Sequence, residues 1–131
     1  MAHRYINPPT LAHPTGYTHV VEANGARTVY ISGQVALDAS GNIVGQGDMR
    51  TQAQQVFENL HTALRAVGGS FSDVAKLTYF IVDMTQMPAV REVRDQFINP
   101  EQLPASTAVE IRRLAREEFL IEVEAVAVLG A

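Results

Sequence analysis

VAKLTYFIV, residues 74–82, decides the fold. Side chains alternate along a strand, so Leu77, Tyr79 and Ile81 line one face while Thr78, Phe80 and Val82 line the other. Both faces are β-branched, aromatic or otherwise apolar. A strand with one wet face would alternate apolar with polar residues. This segment therefore reads as a central strand covered on both sides.

The flanking pattern shows what supplies the cover. Upstream, Met49, Ala53, Val56, Phe57, Leu60, Ala63, Leu64 and Val67 recur at three and four, with Asp48 placed as N-cap and Gly68 as C-terminal cap. Downstream, Met87, Val90, Val93 or Arg94, and Phe97 predict a second helix over about 85–97, ended by Asn99-Pro100. Two helices cover one face of a sheet. The second apolar face calls for another copy of the chain, and a homo-oligomer is the economical answer.

The remaining elements follow from turn chemistry and alternation. Pro8, Pro9 and Pro14 break the N-terminal arm, residues 1–15, so order is expected to begin near Tyr17. Residues 17–23 and 28–37 read as short strands joined in a hairpin by Asn24-Gly25. The stretch 38–47 is rich in turn residues. PASTAVEI, 104–111, and FLIEVEAVAV, 119–128, supply two further strands. The order is β-β-α-β-α-β-β in a single α+β domain spanning residues 1–131.

The last strand carries the one anomaly. Glu122 and Glu124 share a face with Val126 and Val128, opposite Ile121, Val123, Ala125, Ala127 and Leu129. A face that turns from carboxylate to valine suits a cleft wall or a subunit contact, although a half-wet edge strand gives the same pattern.

Composition narrows the function. At 131 residues the chain can bury roughly two thirds of its extended surface. A net charge of -4, with ten scattered Lys and Arg, provides no field for a phosphate backbone, so nucleic acid is a poor partner. The absence of cysteine removes disulfides and thiolate nucleophiles. No stretch has the length of a membrane span and the start lacks the pattern of a leader, which predicts a cytoplasmic, unprocessed protein with no membrane partner. His3, His13, His19 and His61 lack metal-ligand spacing, and the glycines of SGNIVGQGD do not join a strand to a helix. Neither a catalytic metal nor a nucleotide cofactor is expected. Arg112, Arg113 and Arg116, set among Glu110, Glu117 and Glu118, read as a solvated salt-bridged turn.

Taken together, GYTHVV, YISGQVALD, the segment from AQQVFENL to FIVDM, LPASTAVEI and IEVEAVAV resemble the RidA/YjgF family, in order and spacing over nearly the whole chain. The resemblance implies a chorismate-mutase-like fold of the bacillus type, with two helices on one face of a mixed sheet. It implies three copies packed around a central barrel, with small-molecule clefts between them. Members hydrolyse reactive enamines and imines to 2-oxo acids and ammonia. Others degrade aminomuconate-like compounds, and some have been described as ribonucleases.

Carried over by position, Tyr17, Ser32 and Glu122 match three residues that line the family's cleft. The fourth is an arginine that clamps a substrate carboxylate, and here it is Ser106. Arg91 stands where the family usually has a cleft-side asparagine; Gly33, next to Ser32, and His19, which shares a strand face with Tyr17, complete the substrate-binding set. Glu122 and Ser32 are the candidate catalytic groups. Glu122 would move a proton between water and a leaving amine, and Ser32, with no base of its own, would orient rather than attack. Each has a bland counterpart. Glu122 would pair across a subunit contact, Tyr17 would pack at a rim, Ser32 would cap local backbone, and His19 would be a half-exposed packing residue. Glu124 is placed to accept from Arg112 or Arg113. Two functions remain open: a deaminase-like hydrolase of a small C–N metabolite, or a non-catalytic trimer that binds a metabolite or protein.

Overall fold

The structure is a computed structural model that describes residues 2–130. Its elements, in chain order, are β1 (Arg4–Ile6), β2 (Val20–Glu22), β3 (Arg27–Gln34), α1 (Met49–Ala66), β4 (Val74–Ile81), α2 (Met87–Arg94), β5 (Ala105–Glu110) and β6 (Ile121–Leu129). The main sheet has the order β3-β6-β4-β5. β6 is antiparallel to both neighbours and β4 is parallel to β5, giving the expected mixed sheet with two helices on one face.

α1 begins and ends as the sequence predicts. Asp48 accepts hydrogen bonds from the Thr51 backbone and hydroxyl. At the other end, Gly68 adopts a φ of 77° and donates to the Arg65 carbonyl, while Gly69 donates to Leu64. That paired closure needs a left-handed residue, which glycine supplies without steric cost. α1 buries Met49, Ala53, Val56, Phe57, Leu60 and Leu64 against Leu77, Tyr79 and Ile81 of β4 and the apolar face of β6.

Gln52 is the one polar side chain of α1 in that core. Its amide donates to the carbonyls of Gly45 and Glu118, and its oxygen accepts from Leu120 N–H. The helix thereby holds the chain at the point where it enters β6.

Three expectations change. β2 does not pair with β3. It pairs antiparallel with β1, in register Tyr5↔Val21, so order begins well before Tyr17. Asn24-Gly25 makes no hairpin turn. Asn24 N–H donates instead to His3 Nδ1, and its side chain donates to the Ala2 carbonyl. His3 is buried, and its Nε2 donates to the Asp73 carbonyl, which pins the arm to the core. The second helix is also shorter than expected, because Met84–Gln86 forms a 3₁₀ turn before it and the chain turns out of it after Arg94.

The other face of the sheet is uncovered in one copy of the chain. Tyr30 is 80% exposed there and Val109 38%, with Val126, Val128 and Phe80 half-buried between them.

Replacing Gln52 by leucine leaves Leu120 N–H and the Glu118 carbonyl without their partner. It should lower stability by roughly 2–3 kcal/mol in urea unfolding, with the m-value unchanged.

Candidate functional site

The register of β3 on β6 builds the first half of the site. Thr28 faces Val128, Tyr30 faces Val126 and Ile31 faces Ala125, but the next pair is Gln34 with Val123. Ser32 and Gly33 thus stand against the single residue Glu124, as a β-bulge. Bulges bend a strand and aim its side chains anew. The bulge puts Gly33 under the side chain of Glu122, and a Cβ added to Gly33 would lie 2.7 Å from Glu122 Cδ and 2.8 Å from Cγ. Any side chain at position 33 would push the carboxylate away. Glu122 is half-buried and Ser32 exposed, and neither side chain has a hydrogen-bond partner among the described residues. Across β4, Glu122 faces Phe80 and Glu124 faces Thr78. Among the described residues Glu124 pairs with neither Arg112 nor Arg113; in that turn only Arg116 forms an ion pair, at 3.6 Å from Glu118.

The second half lies elsewhere. Ser106 pairs with Leu77 and Ala108 with Tyr79, so Ser106 is on the helix side of the sheet, whereas Glu122, opposite Phe80, is on the open side. Ser106 is also on the far edge strand. From β3 to β5 is three strand spacings, roughly 14 Å. The Tyr17 segment is held beside the start of β5, because Thr18 N–H donates to the Pro104 carbonyl and its hydroxyl to Leu103. The Tyr17 ring meets His19 edge-on at 5.1 Å. His19 is committed to the arm, since its Nε2 donates to the Ala12 carbonyl and its backbone N–H to Asn7.

α2 brings two cations to this second half. The Arg91 guanidinium lies against Gly16, with Nε 3.4 Å and Cζ 3.7 Å from where a glycine Cβ would be. Arg94, only 6% exposed, donates from Nη1 to the Gly16 carbonyl at 2.8 Å and from Nε and Nη2 to Asp95. Below them is Tyr79, whose hydroxyl is buried, with no well-aligned hydrogen bond but with the Arg94 guanidinium close enough to act on it. Burial pushes this phenol up to about 12, against the opposing pull of Arg94 and Arg91.

Of the residues singled out from sequence, Gly33 and Glu122 meet at the bulge beside Ser32, whereas Ser106 is on the helix side of β5, Tyr17 and His19 meet in the segment tied to the start of that strand, and Arg91 lies against Gly16. Sequence reasoning missed Arg94 and Tyr79 as site residues. The signals were present: Arg94 falls at core spacing from Met87 and Val90, and Tyr79 is the one polar-tipped residue on its face of β4. No cluster of acidic, histidine or cysteine side chains able to hold a metal occurs among the described residues, and no described helix is long and apolar enough to cross a membrane.

Residues 9–129 match the protein family described as Endoribonuclease L-PSP. A RutC family protein of Synechocystis is 34% identical, covering 98% of both chains. A mouse 2-iminobutanoate/2-iminopropanoate deaminase is 36% identical over 87% of this chain and 82% of its own. A crystal structure of a conserved Rid family protein from Yersinia pestis superposes with a TM-score of 0.86 at 36% identity, covering 98% of this chain and all of the other.

The raised phenol makes an alkaline prediction. A folded-state value above the unfolded 10.0 favours the protonated form, so stability is intact below pH 10 and declines as pH rises towards 12. At pH 11 the loss from Tyr79 should be on the order of 1 kcal/mol relative to pH 8. Urea midpoints at the two pH values should show a larger loss in the native chain than in Tyr79→Phe, which keeps only the smaller contribution of Tyr5, raised by burial and by Asp73.

Proposed function

Because the chain belongs to the Rid/YjgF family, of the endoribonuclease L-PSP type, we propose that it hydrolyses a small, reactive imine or enamine in clefts shared between the copies of a homotrimer. The observation that carries this reading is the split of the site. Glu122, on the inner strand β6, is on the open face beside Ser32 and Gly33 of β3, and Ser106 is on the helix face of the edge strand β5, to whose start the Tyr17 segment is tied. One copy does not close such a site on itself. The uncovered face around Tyr30 and Val109 is where another copy would dock, bringing the Glu122 of one against the Tyr17 of the next.

The chemistry follows from a carboxylate with room to exchange protons. Water adds to the carbon of a protonated imine while the Glu122 carboxylate takes one of its protons. The resulting carbinolamine receives that proton on nitrogen, its C–N bond breaks and ammonia leaves, while the Glu122 carboxylate takes the hydroxyl proton as the C=O forms. Ser32, exposed and unengaged, is placed to donate to the carbinolamine oxygen. Gly33 keeps the carboxylate in position by having no side chain. No cofactor is required, because the imine is already activated.

Ser106 sets the limit. In relatives that clamp a carboxylate through an arginine at this position, that contact is worth roughly 1.5–3 kcal/mol, so its absence should cost about ten- to a hundredfold in kcat/KM on 2-imino acids. A trimer that binds a metabolite or a protein without chemistry is the alternative that Ser106 favours. Ribonuclease action is disfavoured by the net charge of -4 and by the ion pairs that occupy Arg4, Arg50, Arg94 and Arg116. We place the protein in the cytoplasm, where such imines arise.

Two measurements test this. In a coupled assay in which a dehydratase makes the enamine, Ser106→Arg should raise turnover and Glu122→Gln added to it should abolish the gain. Purified Glu122→Gln and Arg91→Ala proteins, each inactive, should regain about a quarter of native activity after mixing, dissociation and reassembly, since random trimers contain that share of intact interfaces. Failure of mixing to restore activity that the native protein has would place the whole site in one copy and refute the split. A trimer mass by sedimentation equilibrium checks the assembly itself.

A further inference from the structure

A cavity of about 340 Å³ lies between the C-terminal half of α1, the turn before β4 and the segment that follows α2. Its floor is aromatic. Phe71 and Phe97 meet there with ring centroids 5.6 Å apart, and the buried Ile98 closes the base. The exposed His61 ring lies only 11° from parallel to Phe71 and carries the aromatic wall out to solvent. Phe97 also stacks on Phe57 at 5.6 Å, yet it stays only half-buried where it lines the cavity.

The rim is polar. Gln96, Asn99 and Gln102 bring three side-chain amides to it, and no carboxylate, lysine or arginine is among the lining residues. Among the described residues, the side chains of His61, Gln96 and Gln102 make no hydrogen bond, and Asn99 uses only its oxygen, which accepts from Glu101 N–H. Ser70 and Ser72, at the mouth, instead satisfy one another at 2.7 Å. Each free amide offers both donors and an acceptor, and an exposed aromatic face stacks on any flat π-system. A site built of these two parts suits a flat ring with donors and acceptors on its edge. An anion or an ammonium ion would find no fixed opposite charge here to replace its water. An aliphatic ligand would gain the floor but not the rim. The volume is near the lower end of small-molecule sites, roughly 300–1,000 Å³, which suits one or two fused rings without a long substituent.

We propose that this cavity binds an uncharged planar heterocycle with the chemistry of a free nucleobase, stacked on Phe97 and Phe71 and held at its edge by Gln96, Asn99 and Gln102. None of Tyr17, Ser32, Arg91, Ser106 and Glu122 lines it, so it is a second site that goes beyond the hydrolase reading and does not depend on it. The cavity belongs to the helix layer, away from the uncovered face around Tyr30, and assembly through that face leaves it open.

Titration of the 15N-labelled native protein with adenine and with cytosine, followed by amide chemical shifts, tests the site. Both should give saturable shifts centred on Phe71, Phe97, Asn99 and Gln102, and not on Gly33 or Glu122. AMP should bind no more tightly than adenine, because nothing at the rim meets a phosphate, and cyclohexanol, which lacks a flat face, should give no saturable shift. Phe97→Leu keeps apolar volume but loses the ring, and should weaken adenine binding about tenfold. Gln102→Ala changes an exposed side chain with no hydrogen bond to the protein, so it should fold as the native chain does and weaken binding about three- to tenfold. Glu122→Gln should bind adenine as the native protein does. No saturable shift with millimolar adenine, unchanged affinity in both Phe97→Leu and Gln102→Ala, shifts centred on Glu122, or equal affinity for cyclohexanol would each overturn the site. Tighter binding of AMP than of adenine would overturn the uncharged ligand.

Discussion

β6 is hydrogen-bonded on both sides, to β3 and to β4, so the facing of each of its side chains is fixed twice over. A slip of one residue would carry Ile121, Val123, Ala125, Ala127 and Leu129 out of the core and drive two carboxylates under α1, a loss of several buried side chains at roughly 1.5–3 kcal/mol each for the larger ones. Gln52 reinforces the register by holding Glu118 and Leu120 just before the strand begins. With that strand fixed, Glu122 can only face the open side. The bulge at Ser32 and Gly33 then decides what lies beneath it.

The same constraint separates the two groups of site residues. Ser106 is fixed to the helix side by pairing with Leu77, and Thr18 fastens the Tyr17 segment to the start of β5. Neither could move to the face of Glu122 without dismantling the sheet. Separation of this kind makes each half structurally sound alone, since each is held by backbone pairing and local hydrogen bonds.

What was legible in the sequence is what depends on local periodicity and short-range chemistry. The cap at Asp48, the glycine closure at Gly68, the alternation in β4 and the carboxylate face of β6 are all set within a few residues, and all are present. The pairing of β2 was not legible. Asn24-Gly25 specifies a tight hairpin only if its flanking strands pair, and here His3 and Ala2 take the hydrogen bonds of Asn24. The prolines that suggested an unstructured arm lie after β1, in the loop that returns to β2. Pro88 shortened the second helix, because it suits a first turn and not an interior. Arg94 was hidden by its own chemistry: the spacing marks position 94 as core, while the residue type argues for the surface.

The departures from local rules fall in two places. A glycine inside a strand weakens it, and burying a phenol carries a desolvation cost, yet Gly33 interrupts β3 and Tyr79 stands in the core beside Phe57 and Val123. Gly33 lies beneath Glu122, and Tyr79 lies beneath Arg91 and Arg94. Selection for stability alone would fill the first with a side chain and replace the second with phenylalanine, each a single substitution. Chains that keep such features tend to keep them where a ligand or a reacting group supplies the missing contact. The two irregularities mark opposite faces of one sheet, Gly33 on the side of Glu122 and Tyr79 on the side of the helices.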